Sequence, residues 1–197
     1  MTARRKAASA KPANPPTTTS IAINRAPVLT LWAAVVAERL GFDADEAATL
    51  GRAVAGLNAQ SKGQRLGIFA KPAPGEKPAV KKNERAAAGE DTVPLLGRAV
   101  PIVRTRAGIR AAAGGRPDDP AAVHRYLAAR FGDALDAARE AMQTLARSMP
   151  KRELEARAFE LYEAFRPGVP AGTRGWGAKG VLDLARVREL GRTARGH

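Results

Sequence analysis

A mainly α-helical protein is what this 197-residue sequence predicts, as a helical hairpin followed by a small helical bundle. Three observations carry that expectation. Apolar residues recur at three- and four-residue spacing from Pro27 to about Leu57 and again from Pro120 to Leu190. Capping residues, prolines and glycines bracket those stretches at helix start and stop positions. Residues that favour β structure gather in one place only, a short ribbon near residues 92–106. The size of the core follows from composition. The 45% hydrophobic content includes 43 alanines, so the larger apolar side chains support one core of roughly 100–140 residues.

Residues 1–22 are read as a disordered basic tail: the first twenty have no apolar periodicity, and Arg4, Arg5, Lys6 and Lys11 are unopposed by acid. Residues 23–69 read as the hairpin. Pro27 suits a first helical turn, Val28, Trp32, Val35, Val36 and Leu40 follow helical spacing, and Gly41 sits where a left-handed cap is needed. Asp43 and Glu46 have capping-box spacing at the start of the second helix. That helix lines up Ala47, Leu50, Val54 and Leu57 on one stripe and Ala44, Ala48, Gly51 and Ala55 on another. A glycine inside a helix costs roughly 1 kcal/mol against alanine, so Gly51 and Gly56 imply a close backbone neighbour or an early break. Helix, turn, helix is compatible with a helix-turn-helix, a plain hairpin or a dimerisation pair. The acidic start of the second helix, Asp43, Asp45 and Glu46, would repel phosphates and argues against a DNA-reading helix. The small-residue face at Ala48, Gly51 and Ala55 is the candidate homodimer surface.

The segment after Asn58 is polar, with Gly63 and Gly67 beside Lys62 and Arg65. It reads as a helix-ending loop or an anion site, without P-loop spacing. Residues 70–91 form a basic Pro/Gly-rich linker. Residues 92–197 are the ribbon plus a helical domain. Pro94 and Pro101 place any strand at an edge, from which Arg104 and Arg106 would face the same way, joined by Arg110. Three helices then follow, from Pro120 to Phe131, from an Asp133 cap to Met149, and from Pro150 to Phe165. The glycine-rich loop 167–180 carries Arg174, Trp176 and Lys179, cations beside a platform on which a base can stack or which can fold back as a lid. A short helix from Leu182 to Leu190 closes the chain.

The net charge of +14 is unevenly spread: residues 58–110 hold eleven basic and four acidic side chains, residues 26–57 two and four. Clustered positive charge is the electrostatic footprint of nucleic-acid binding. The candidate contacts are Lys62, Arg65, Arg104, Arg106 and Arg110, with Arg174, Trp176 and Lys179 as a second patch. The expected partner is nucleic acid, DNA ahead of RNA, in the cytoplasm or on the nucleoid. A protein-interaction module with a basic surface is the alternative reading, and an enzyme the third. Cysteine is absent, which excludes disulfides, thiol nucleophiles and Cys-based metal sites. His124 has no nucleophile or carboxylate at a catalytic spacing, so no catalytic residue, cofactor or metal is assigned. No run approaches the roughly 18 apolar residues of a membrane span, and no secretory signal is visible.

Overall fold

The computed structural model describes residues 20–65, 91–113, 115–169 and 178–194. Those residues are mostly helical, with small antiparallel sheets. Strand β1 (Ser20–Ile23) leads into α1 (Arg25–Leu40) and α2 (Ala44–Arg65). A four-stranded meander follows, β2 (Thr92–Leu95), β3 (Arg98–Thr105), β4 (Gly108–Ala113) and β5 (Arg116–Pro117). Helix α3 (Pro120–Phe131), a 3₁₀ turn at Gly132–Ala134, α4 (Leu135–Arg147) and α5 (Lys151–Phe165) form the bundle. Strand β6 (Gly180–Asp183) and α6 (Leu184–Ala194) complete it.

Helix α1 is the centre. Every residue from Pro27 to Ala37 is buried, because that stretch holds no charge on any face. A helix apolar all round has only an interior to occupy, and α1 packs against α2, α3, α4 and α5. Trp32 is fully buried, its ring edge-on to Phe165 at 5.4 Å, and its Nε1–H donates to the carbonyl of Ala158 at 2.7 Å. The C-terminus of α1 closes on Gly41, at φ 121°, whose N–H donates to Glu38 O, while the Phe42 N–H reaches Ala37 O. Glu38 and Arg139 tie α1 to α4 at 2.8 Å, both partly buried.

Several expectations need correction. Ser20–Ile23, placed partly in the tail, pairs antiparallel with Gly180–Asp183, buries Ile21 and Ile23, and so starts the folded chain earlier. Helix α2 does not end at about Gln60, as the pattern suggests, but runs to Arg65, and Arg98 from β3 donates to Asn58 Oδ1 and Ser61 Oγ and supports the last turns. The ribbon is a meander reaching residue 117, and β3 is an inner strand. Pro101 is tolerated there because β2 pairs with residues 98–101 and β4 with 102–105, so the proline falls where the partner changes. Asp133 lies in the 3₁₀ turn and makes no cap for α4. Leu182 belongs to β6, and the last helix starts two residues later.

The β2–β3 turn puts Leu96 at φ 48° and Gly97 at φ 70°, the pair of positive angles a two-residue turn matched to strand twist requires. Leucine rarely accepts that conformation. Leu96 is held in it by burial of its side chain.

Candidate functional site

The capping box forms as expected: the Glu46 N–H donates to Asp43 Oδ1 at 2.8 Å, and the Asp43 N–H to Glu46 Oε2 at 3.1 Å. It does more than cap. The other oxygen of Glu46 accepts the Ile109 N–H at 2.8 Å, and Thr49 Oγ1 accepts the Ala111 N–H at 3.2 Å. Alternate amides of an antiparallel edge point away from the sheet. Two side chains of α2 thus stand in for a further strand along β4, and Gly108, at φ 95°, passes in contact with the Glu46 carboxylate. Beside them Asp45 joins three elements, 3.6 Å from Arg110 Nη2 on β4 and 3.3 Å from His124 Nε2 on α3.

This arrangement divides the residues expected to touch nucleic acid. Lys62 is exposed near the C-terminal end of α2. Arg65 ends that helix, and its side chain lies outside the described residues. Arg104 is exposed and pairs with Asp91 at 3.1 Å. Arg106 is exposed on the β3–β4 turn, not on the strand, so the shared facing expected of the two arginines is not formed. Arg110 is a correction. It pairs in register with Val103 whereas Arg104 pairs with Ile109, so the two arginines lie on opposite faces of the ribbon. Arg110 is buried, with Asp45 beside it and its Nη1 donating to its neighbour's carbonyl at 2.7 Å. Lys62 and Arg106 sit toward opposite ends of α2: Ser61 contacts Arg98, Glu46 contacts Ile109, and fifteen helical residues between them span about 22 Å. Arg174 and Trp176 lie outside the described residues, and Lys179 is exposed just before β6.

The small-residue face of α2 also turns out differently. Ala48, Gly51 and Ala55 are buried, and a Cβ at Gly51 would meet Thr30 O and, at 2.8 Å, Ala34 N. The close backbone that Gly51 implies is α1 of the same chain. That face is therefore not available to a second copy.

What the sequence pattern does not reveal is a groove between α2 and α3, roofed by the meander, with a volume of about 710 Å³. Tyr126, expected in a buried stripe, is only partly buried and lines it. The Arg52 guanidinium lies over the Tyr126 ring at 4.5 Å and that of Arg130 approaches it at 5.7 Å. Arg52 and Tyr126 are 74 residues apart, so no spacing rule could have joined them. A shallower hollow of about 500 Å³ lies between the α1–α2 turn and the sheet, against Phe42, Asp91 and Arg104.

Asp118 sits half-buried in the groove. Burial pushes its carboxyl above the usual carboxylate range, and the nearby Arg52 only partly opposes this. The folded state therefore holds the Asp118 proton more tightly than the unfolded state, and stability falls as pH rises through that window. Asp118→Asn is expected to raise the thermal midpoint at neutral pH. The advantage should vanish below the ordinary carboxylate range, where both states are protonated. Melting curves at pH 3 and pH 7 check this, and an equal shift at both would show that the ionised form is not penalised.

Among the described residues no group of three or more His, Asp or Glu could hold a metal ion. No helix there is long and apolar enough to cross a membrane. The fold and site define a helical bundle braced through the edge of a small meander, with an arginine–tyrosine groove beside it. Compared with protein families, with curated proteins and with solved structures, the chain finds no match.

Proposed function

We propose that this is a non-catalytic nucleic-acid-binding protein, DNA ahead of RNA, that works mainly through phosphate contacts. The observation that carries the reading is how charge divides between the described residues and the other 56. The described residues hold 22 Lys and Arg against 16 Asp and Glu, net +6, whereas the other 56 residues hold eleven against three, net +8. Much of the acid in the folded part is already engaged in ion pairs, as at Glu38, Asp45, Asp91, Asp119, Glu153 and Glu163. Excess cations attract a polyanion and displace its counterions. Lys62 at one end of α2 and Arg104 and Arg106 toward the other offer two points of contact for a phosphate backbone. Arg110 is withdrawn from that role.

Fluorescence anisotropy against labelled duplex DNA, single-stranded DNA and RNA at two salt concentrations, with heparin as competitor, tests the proposal. Micromolar or tighter binding, a steep salt slope and resistance to heparin are expected. Changing Lys62, Arg65, Arg104 and Arg106 together to glutamine should flatten the log–log salt slope by about 0.7–0.9 for each phosphate that is no longer neutralised. Binding seen only at low salt, equal for every polyanion and lost to heparin, would reduce the charge to composition.

A further inference from the structure

We propose that the groove between α2 and α3 is a binding site for a nucleoside phosphate, with the phosphate on Arg52, supported by the charge of nearby Arg130, and the base against the small-residue wall. Arg52, which lines the groove, defines the anionic end, and Arg130, outside the lining, adds positive charge beside the same tyrosine. Both are drawn to one ring, at 4.5 and 5.7 Å from its centroid, so they stand within about 10 Å of each other. Both are exposed, and neither makes an ion pair or hydrogen bond among the described residues. The Arg52 guanidinium over Tyr126 is exposed and has no acceptor among the described residues, so its rim of N–H donors is available. That rim is the fork that binds phosphate oxygens two at a time. Two like charges close together repel, and a bound phosphate attracts both.

The wall defines the other end. Ala55, Gly56 and Ala59 of α2 and Ala122 of α3 bring no side chain larger than a methyl group, Ala112 faces them from the meander, and Leu57, Pro101 and Val123 complete the apolar lining. The result is an apolar wall in a space of about 710 Å³, within the range of small-molecule sites. A flat aromatic base fits such a wall. Two polar groups reach the same space, the Gln60 amide and the Asp118 carboxylate, and neither side chain has a hydrogen-bond partner among the described residues. Amide and carboxylate together match the mixed donors and acceptors of a base edge. The neighbouring Asp119 is not free for this: its oxygens cap α3 through the N–H groups of Ala121 and Ala122.

The site goes beyond the phosphate-backbone reading and rests on it only for the source of the nucleotide. A free nucleotide can present its base, and so can an unpaired strand, whereas a duplex keeps its bases stacked. The full chain is titrated calorimetrically with 5′-AMP, 5′-GMP, thymidine 5′-phosphate and inorganic phosphate, and by anisotropy with single-stranded and duplex oligonucleotides. The variants are Arg52→Ala with Arg130→Ala, and Gly56→Leu. A Cβ at Gly56 meets nothing within 4 Å, so a side chain can leave the helix there, and leucine at this lining position occupies groove space.

Binding of at least one nucleotide is expected, weakened about tenfold or more by the double arginine change. Gly56→Leu should remove nucleotide binding, leave phosphate binding in place and not lower the thermal midpoint. Binding of the single strand alone, lost in both variants, supports the site with a polymer as the source. No binding of either form, or binding that both variants leave unchanged, overturns it. Duplex binding that survives that result leaves the phosphate-backbone reading standing, and nucleotide binding without any duplex binding does the reverse.

Discussion

Trp32→Ala is expected to destabilise the protein by about 3–5 kcal/mol, the range for deleting a large aromatic side chain from a closed core. For a chain of this length that is a fall in the thermal midpoint on the order of 10 °C. The reason lies in where α1 runs. Trp32 has no solvent exposure, sits edge-on to Phe165 and donates its only side-chain N–H to the Ala158 carbonyl of α5. Phe165 in turn meets Tyr162 edge-on at 5.9 Å, so one ring supports the next. Burial pushes the Tyr162 hydroxyl pKa up to about 12, and it donates to the Arg25 carbonyl at 3.3 Å. Trp32→Phe keeps a ring and loses the donor, and about 1–2 kcal/mol is expected. Urea unfolding followed by circular dichroism separates the two variants. A loss below about 1 kcal/mol for the alanine variant would mean that the core can close over the missing ring.

Two glycines of one helix should respond to the same substitution with opposite signs. Gly51→Ala places a methyl group against Thr30 O and Ala34 N of α1. Both are backbone atoms, so the helices themselves must part. A loss of about 1–3 kcal/mol is expected, although alanine is the better helix former by about 1 kcal/mol. Gly56→Ala meets nothing within 4 Å. It should gain about 0.5–1 kcal/mol by narrowing the conformations open to the unfolded chain. The difference in urea midpoint between the two variants is the readout. Equal effects would show that helix propensity alone governs α2.

Much of the helical frame is legible in the amino-acid order. Helix α3 runs from Pro120 to Phe131 with Asp119 as its cap, and α5 buries Leu154, Ala158, Leu161, Tyr162 and Phe165, the stripe its spacing predicts. Asp43 and Glu46 form their box. These features depend on residues within a turn of one another. Only the first half of β4 was legible, because Ala111–Ala113 are small residues with little β preference, and the strand is held at its outer edge by Glu46 and Thr49. The central place of α1 had a signal, the charge-free run from Ala26 to Ala37, which attention to a single apolar stripe passes over.

The candidate site shows the same division more sharply. A count of charges identifies basic segments, yet it treats every arginine alike. Arg110 is buried beside Asp45, 65 residues away, while Arg52 and Arg130 meet at Tyr126. By itself the sequence determined where most helices lie, the caps at Asp43 and Asp119, the basic balance and the absence of thiol chemistry, because each is set by composition or by neighbours a few residues apart. Tertiary structure alone decided which backbone Gly51 touches, that Ser20–Ile23 pairs with Gly180–Asp183, and which arginines face solvent. Those outcomes depend on which distant surfaces exclude water together, and burial, not residue type, determines whether a charge is a structural partner or a contact for something else.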